Sequence, residues 1–258
     1  LLIEASATFK EKHKNRFGYF VFFKPRDIVS GDFYWVRQIK NSIYIAVADC
    51  TGHGVPGAFM STLGISLLNE IVTGKEELST VHILNELRER VKKSLHQHHQ
   101  KREAKDGMDI SFCIINADTN TLSYSGANSP VYLCRSKNSP NKVPSDHIRF
   151  ESQSHFLAEY KADRMPIGVH PNDDISFSSH TLSLEKGDSI YLFSDGFITQ
   201  FGGKKGDKFK SNRFKETILS LQGNPMEQQK ILLERVFSDW KGQLEQIDDI
   251  LVIGLQVT

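Results

Sequence analysis

Ser42-Ile43-Tyr44-Ile45-Ala46-Val47-Ala48-Asp49-Cys50-Thr51-Gly52-His53-Gly54-Val55-Pro56-Gly57-Ala58 is the stretch on which the fold turns. Its first half is an apolar strand that ends on a carboxylate, its middle is a glycine-rich turn, and Pro56 opens a helical pattern. Gly52, Gly54 and Gly57 match the G-x-G-x-x-G spacing of a dinucleotide-binding turn, in the strand-to-helix setting that such a turn requires. The fingerprint also needs a parallel strand soon after the helix. Here a second amphipathic helix follows instead, and no strand returns until about Asp109. Asp49 would moreover place negative charge beside a pyrophosphate. These features, with the segregation of strands from helices, argue for an α+β layered domain rather than a doubly wound nucleotide-binding sheet.

Outward from this stretch, alternating apolar positions mark strands at Tyr19–Lys24, Asp32–Gln38 and Ser42–Asp49. The first helix is expected to bury Phe59, Leu63, Leu67 and Ile71 and to end near Gly74. A second, capped by Ser79 or Thr80, carries Val81, Leu84, Leu87, Val91 and Leu95 at helical spacing. Period two resumes in Ile110–Asn116, Thr121–Ser125 and Val131–Cys134. Residues 136 to 146 read as a loop. Further strands are expected at Ile175–Leu184, Ser189–Ser194 and Ile250–Val257, with a helix over Pro225–Trp240.

The 258 residues are 39% hydrophobic and 24% charged, enough for a real core and against disorder. Lys and Arg number 32 against 31 Asp and Glu, so bulk charge provides no drive toward nucleic acid or anionic lipid. The longest uninterrupted apolar runs, Tyr19–Phe23 and Ile43–Ala48, are far shorter than the roughly 18 residues of a membrane span. Three cysteines without a C-x-x-C pair fit a reducing compartment, so a cytoplasmic location is expected. The chain opens on Leu1 without a signal-peptide pattern, and a fragment of a longer protein is expected, with residues 1–17 ending a regulatory linker and 18–258 forming one domain.

Four acidic sites sit at the margins of apolar strands: Asp32 in Ser30-Gly31-Asp32-Phe33-Tyr34, Asp49, Asp195 in Leu192-Phe193-Ser194-Asp195-Gly196, and Asp248-Asp249 before Ile250-Leu251-Val252. Carboxylates converging from strand ends repel unless cations sit between them, and hard oxygen ligands select Mg²⁺ or Mn²⁺. A C-x5-R phosphatase is excluded, because the positions six after Cys50, Cys113 and Cys134 are Pro56, Thr119 and Pro140.

Ser-Gly-Asp-Phe-Tyr-Trp at 30 to 35, Ala-Asp-Cys-Thr-Gly-His-Gly-Val-Pro-Gly-Ala at 48 to 58, Phe-Ser-Asp-Gly-Phe at 193 to 197 and Gln-Ile-Asp-Asp-Ile at 246 to 250 occur in the order seen in the metal-dependent (PPM, type 2C-like) serine/threonine phosphatases. With Tyr124-Ser-Gly-Ala-Asn-Ser-Pro-Val-Tyr132 and Pro166-Ile-Gly168, the chain most resembles their bacterial SpoIIE/RsbU branch. The resemblance implies a β-sandwich of two antiparallel sheets flanked by helices, in α-β-β-α layers, with two Mn²⁺ or Mg²⁺ ions at one end. It implies that Asp49 bridges the ions, that the Cys50 carbonyl binds one, and that Asp195 and Asp248 hold the other. Asp32 would bind directly or through waters, and Asp249 is kept as a neighbouring candidate. A hydroxide activated by the two ions would attack phosphorus in line, with no phosphoenzyme.

Thr51 stands where the animal branch has a histidine, and the role of leaving-group acid does not transfer to His53. Arg26 is a weak counterpart of that branch's phosphate-binding arginine. His96, His98 and His99 read as a solvated helix end, and Lys204, Lys205, Lys208 and Lys210 as a basic loop. The expected activity is hydrolysis of phosphoserine or phosphothreonine on a phosphorylated regulatory protein of the anti-sigma-factor antagonist kind. The domain would be the output module of a bacterial sensory chain, which itself is compatible with a membrane tether and a homodimer. No nucleic acid and no membrane contact by this segment are expected. The rival expectations are a catalytically weak scaffold of the same fold and nucleotide binding at the glycine turn.

Overall fold

The computed structural model describes residues 17–75, 78–97 and 106–258. Of the expected linker only Phe17 falls among them, as the first residue of a strand, and His98 and His99 lie outside them. One sheet has the order β1 (Phe17–Lys24), β13 (Ile250–Val257), β10 (Ser189–Phe193), β6 (Val131–Ser136), β8 (His155–Tyr160), β7 (Ile148–Glu151). The other runs β2 (Phe33–Ile39), β3 (Ser42–Cys50), β4 (Met108–Asn116), β5 (Thr121–Ala127), β9 (His180–Ser183). All pairings in both sheets are antiparallel.

Strand alternation divides the apolar side chains among three cores. Ile43, Ile45 and Val47 of β3 face the other sheet, where Ile190, Leu192, Leu251 and Ile253 meet them. The intervening Tyr44, Ala46 and Ala48 face the helices α1 (Gly54–Val72) and α2 (Thr80–Ser94). On the opposite side, Phe20, Phe22, Tyr191, Phe193 and Val252 pack beneath α3 (Gly196–Thr199), α4 (Ser211–Ser220) and α5 (Met226–Lys241). The order is helices, sheet, sheet, helices, as the sequence leads one to expect.

Helix α1 buries Leu67 and Ile71 and packs Leu63 against the core as expected, but not Phe59. Gly57, Met60, Ser61, Gly64, Leu67, Leu68 and Ile71 point inward, while Phe59 is 73% exposed. Small residues decide this, because a Cβ at Gly64 would stand 2.9 Å from the Phe33 ring. Packing follows the stripe that lets the helix approach the sheet rather than the one with the largest side chains. The helix is also long and apolar enough to cross a membrane by length and composition, with 44% of its apolar window buried. Gly, Ser and Thr interrupt its apolar residues, so no long uninterrupted apolar run marks it in the sequence.

Ser79 caps α2 by accepting from the His82 amide at 3.2 Å, whereas Thr80 is buried and pairs with Ser125. Strands β7 and β8, helix α4 and the short hairpin β11 (Phe201–Gly202) with β12 (Asp207–Lys208) were not expected. The expected strand at 175 to 184 shortens to β9. Its first half spends amides elsewhere, Phe177 on Asn85 and Ser178 on Asp163.

Phe112 is fully buried between Trp35 and Tyr44 in the core under α1 and α2. Phe112→Ala should lower unfolding free energy by about 3–5 kcal/mol in urea denaturation. A loss below about 1 kcal/mol would contradict this packing.

Candidate metal centre

Four strand ends meet at one end of the sandwich. Asp49 is the penultimate residue of β3, Asp32 immediately precedes β2, Asp195 follows β10 by two residues, and Asp248 precedes β13 by two. Asp49, Asp195 and Asp248, with Cys50, Thr51, Gly52, His53 and Asp109, line a cavity of about 340 Å³. Asp32 is only 4% exposed and lies within electrostatic reach of Asp49, Asp195 and Asp248.

Asp109 is the member that the sequence reading missed. Its register partner is Asp49 across the β3–β4 ladder, and it accepts a hydrogen bond from Asn128 at 2.8 Å. The signal was the strand start at Asp109, but only the pairing register puts it opposite Asp49.

The turn is built by close backbone approach. Gly52 has φ +86°, and a side chain at Gly31 or Gly57 would run into its carbonyl oxygen. The loop before β2, the turn after β3 and the first turn of α1 are thereby in direct backbone contact. Thr51 donates its amide to the Gly107 carbonyl at 3.0 Å, and its hydroxyl accepts from the Gly107 amide at 3.1 Å. Its work is to tie the turn to β4. His53 is half exposed at the rim and pairs through Nδ1 with Asp27 at 3.0 Å. Arg26 donates its guanidinium to the Ile247 carbonyl at 3.0 Å.

The two adjacent aspartates have different surroundings. Asp249 is buried and accepts the amides of Arg26 and Gly31, each at 2.8 Å, one on each oxygen. Both oxygens are thus used in anchoring the loop that leads to Asp32. Asp248 accepts the Asp249 amide on Oδ1 at 2.9 Å and faces the cavity.

Burial and mutual repulsion push these acids upward. Asp49 rises to about 9, first through burial and then through Asp32, Asp195, Asp248 and Asp109. Asp32 rises to about 8 through burial, opposed by a hydrogen bond with Ser194 and reinforced by Asp249, Asp248 and Asp195. Asp195, Asp248 and Asp109 are raised as well, in each case chiefly by burial. Oδ2 of Asp32 is buried with no hydrogen-bond partner. An orphaned carboxylate oxygen among like charges is the donor set that a hard divalent cation satisfies. Among the described residues no three His, Cys, Asp or Glu side chains already stand in a metal-holding group. What the side chains present is electrostatic convergence.

An acid whose folded-state pKa lies above the unfolded value of about 3.9 binds its proton more tightly when folded. Metal-free protein should therefore be most stable with respect to these groups below about pH 4 and lose that stability as pH rises through 8 to 9. The loss should shrink in Asp32→Asn with Asp49→Asn, read as melting temperature against pH. Asp249→Ala should cost about 2–4 kcal/mol, since the buried Gly31 amide and the half-buried Arg26 amide both lose their acceptor. A change under about 0.5 kcal/mol in urea denaturation would remove its anchoring role.

The model of the Stage II sporulation protein E (SpoIIE) family matches residues 40–258. Phosphoserine phosphatase RsbU of Bacillus subtilis (strain 168) is 25% identical over 173 residues, which are 67% of this chain and 44% of that protein. The chain thus spans less than half the length of that relative. The SiaA-PP2C domain of Pseudomonas aeruginosa superimposes with a TM-score of 0.79 at 25% identity, covering 98% of this chain and 90% of that one. The structure of the PP2C phosphatase domain with a regulatory fragment of SpoIIE from Bacillus subtilis gives 0.69 at 18% identity, over 94% of this chain and 63% of that one. With the family model covering most of the sequence and the α-β-β-α sandwich matching these domains, the chain belongs to the SpoIIE family and has the PP2C fold.

Proposed function

We propose that the chain is a divalent-metal-dependent phosphatase domain acting on phosphoserine or phosphothreonine of a regulatory protein. In this reading residues 18–258 are the phosphatase unit and 1–17 end a linker from a sensory portion of a bacterial cytoplasmic signalling protein. Its substrate is a phosphorylated partner of the anti-sigma-factor antagonist kind. The observation that carries the reading is the unpartnered, buried Oδ2 of Asp32 in a cluster of carboxylates all raised by burial and repulsion.

Asp49, the Cys50 carbonyl, Asp195 and Asp248 would hold two Mn²⁺ or Mg²⁺ ions, with Asp32 binding directly or through water. Bound divalent ions supply an activated water at neutral pH and stabilise charge on phosphoryl oxygens. The chain contributes the fixed strand ends, the glycine turn that admits close approach, and a cavity open on one side for a phosphorylated side chain. Because cations displace the protons retained by Asp32 and Asp49, binding should release protons and strengthen as pH rises. A cysteine nucleophile finds no support: Cys50, Cys113 and Cys134 are buried, and burial raises each thiol above its ordinary range.

Phosphate release from p-nitrophenyl phosphate should require Mn²⁺ or Mg²⁺, stop with chelator, and fall at least about 100-fold in Asp49→Asn and Asp195→Asn. Mn²⁺ should also raise the melting temperature of the wild type and not of Asp49→Asn. Turnover indifferent to chelator would end the metal mechanism. A metal-dependent thermal shift with no turnover of any phosphoester would replace the enzyme by a binding scaffold.

A further inference from the structure

The hairpin β11–β12 begins six residues after Asp195, and its turn is Gly203-Lys204-Lys205-Gly206. From 201 to 213 the chain carries Lys204, Lys205, Lys208, Lys210 and Arg213 against the single acid Asp207. The four lysines are exposed. Among the described residues no carboxylate forms an ion pair with them. This local excess stands out in a protein whose formal charge is only +1.

The base of the hairpin is fixed, and it is fixed to the acidic site. Gln200 is fully buried and accepts from the Phe209 amide at 2.9 Å and the Trp240 indole at 3.0 Å through its carbonyl. Its side chain donates to the Glu245 carbonyl at 2.8 Å and accepts the Ile247 amide at 3.2 Å, one residue before Asp248. The Gly203 amide donates to the Trp240 carbonyl at 2.8 Å, and the Arg213 guanidinium lies 4.1 Å over the Trp240 ring. Gly203 and Gly206, at φ +66° and +65°, close the exposed turn. Lys208 stands near enough for its positive charge to favour the ionised form of Asp195 against burial. A rigid arm of positive charge thus flanks a cavity lined by negative charge.

We propose that this hairpin is an electrostatic docking arm that selects phosphoproteins whose phosphorylated residue is surrounded by acidic side chains. The proposal rests on the phosphatase reading above. A phosphoserine brings about −1.5 to −2 charges to a cavity of carboxylates. Further acidic residues beside it would be repelled there unless the rim offered cations. The exposed tip lysines, which do not line the cavity, supply them, raising the encounter rate and setting orientation without entering the chemistry. A small phosphoester has no flanking acids and gains nothing from the arm.

Two phosphoserine decapeptides of equal length serve as probes, one with four glutamates around the phosphoserine and one with four glutamines, alongside p-nitrophenyl phosphate. At low salt the wild type should show kcat/KM about tenfold higher for the acidic peptide, and the preference should collapse in 0.5 M NaCl, where the screening length is about 4 Å. Lys204→Glu with Lys205→Glu should abolish or reverse the preference, Lys204→Arg with Lys205→Arg should retain it, and both should turn over p-nitrophenyl phosphate like the wild type. Equal kcat/KM for the two peptides in a wild type that hydrolyses p-nitrophenyl phosphate overturns the docking arm alone. A preference that survives charge reversal overturns it too. A wild type that hydrolyses none of the three with Mn²⁺ overturns the phosphatase reading and the arm with it.

Discussion

Two backbone amides, those of Arg26 and Gly31, close on the buried carboxylate of Asp249, and the site end of the molecule depends on this pair of bonds. Asp249 leads into β13 of one sheet, while residues 26 to 31 form the crossing from β1 to β2 of the other. A charged acceptor shared by two amides is among the stronger hydrogen-bonded arrangements that a protein interior offers. It fixes the loop that presents Asp32, and through the contact of Gly31 with Gly52 and Gly57 it also fixes the turn beyond Asp49 and the start of α1. Asp248, one residue earlier, is left free to face the cavity. One acid of the pair serves architecture, and its neighbour is available for chemistry.

Much of this was legible in the sequence because it rests on local pattern. The alternation in 42 to 50 gives a strand with two apolar faces, which already implies a layer on each side, and the structure fills them with the opposite sheet and with α1 and α2. The acidic motifs were legible as strand-end residues, and the structure brings those strand ends together. The parts that escaped depend on partners distant in sequence. Asp109 matters because β3 and β4 pair in the register that sets it opposite Asp49, and register is not written in either strand alone. β7 is an edge strand and β8 its inner neighbour, and both carry Arg, Glu or His among their apolar residues, so alternation is diluted. α4 is ten residues long with few apolar anchors, chiefly Phe214, Ile218 and Leu219. Phe59 alone of the four residues expected inside α1 was misplaced, because size was weighted over fit.

The acidic end and the basic hairpin give new meaning to the near-neutral total charge. Positive and negative residues balance across the chain, yet they are sorted in space, with carboxylates raised in pKa at the cavity and lysines exposed on an arm beside it. Averaged charge conceals such sorting, whereas strand ends and turns record it. The fold produces the separation economically, since Asp195 and the hairpin follow one another along a short stretch of chain.

The carboxylates come from both sheets, Asp32 and Asp49 from one and Asp195 and Asp248 from the other. Between those sheets lies a core of Ile43, Ile45, Val47, Leu192, Leu251 and Ile253, which acts as a spacer as well as a glue. Its thickness is the calliper that sets how far apart the two halves of the site stand. Interior methyl groups with no contact to any ligand are therefore part of the site's dimensions. Sequence drift inside the sandwich is constrained by the gap that the acids must span as well as by stability.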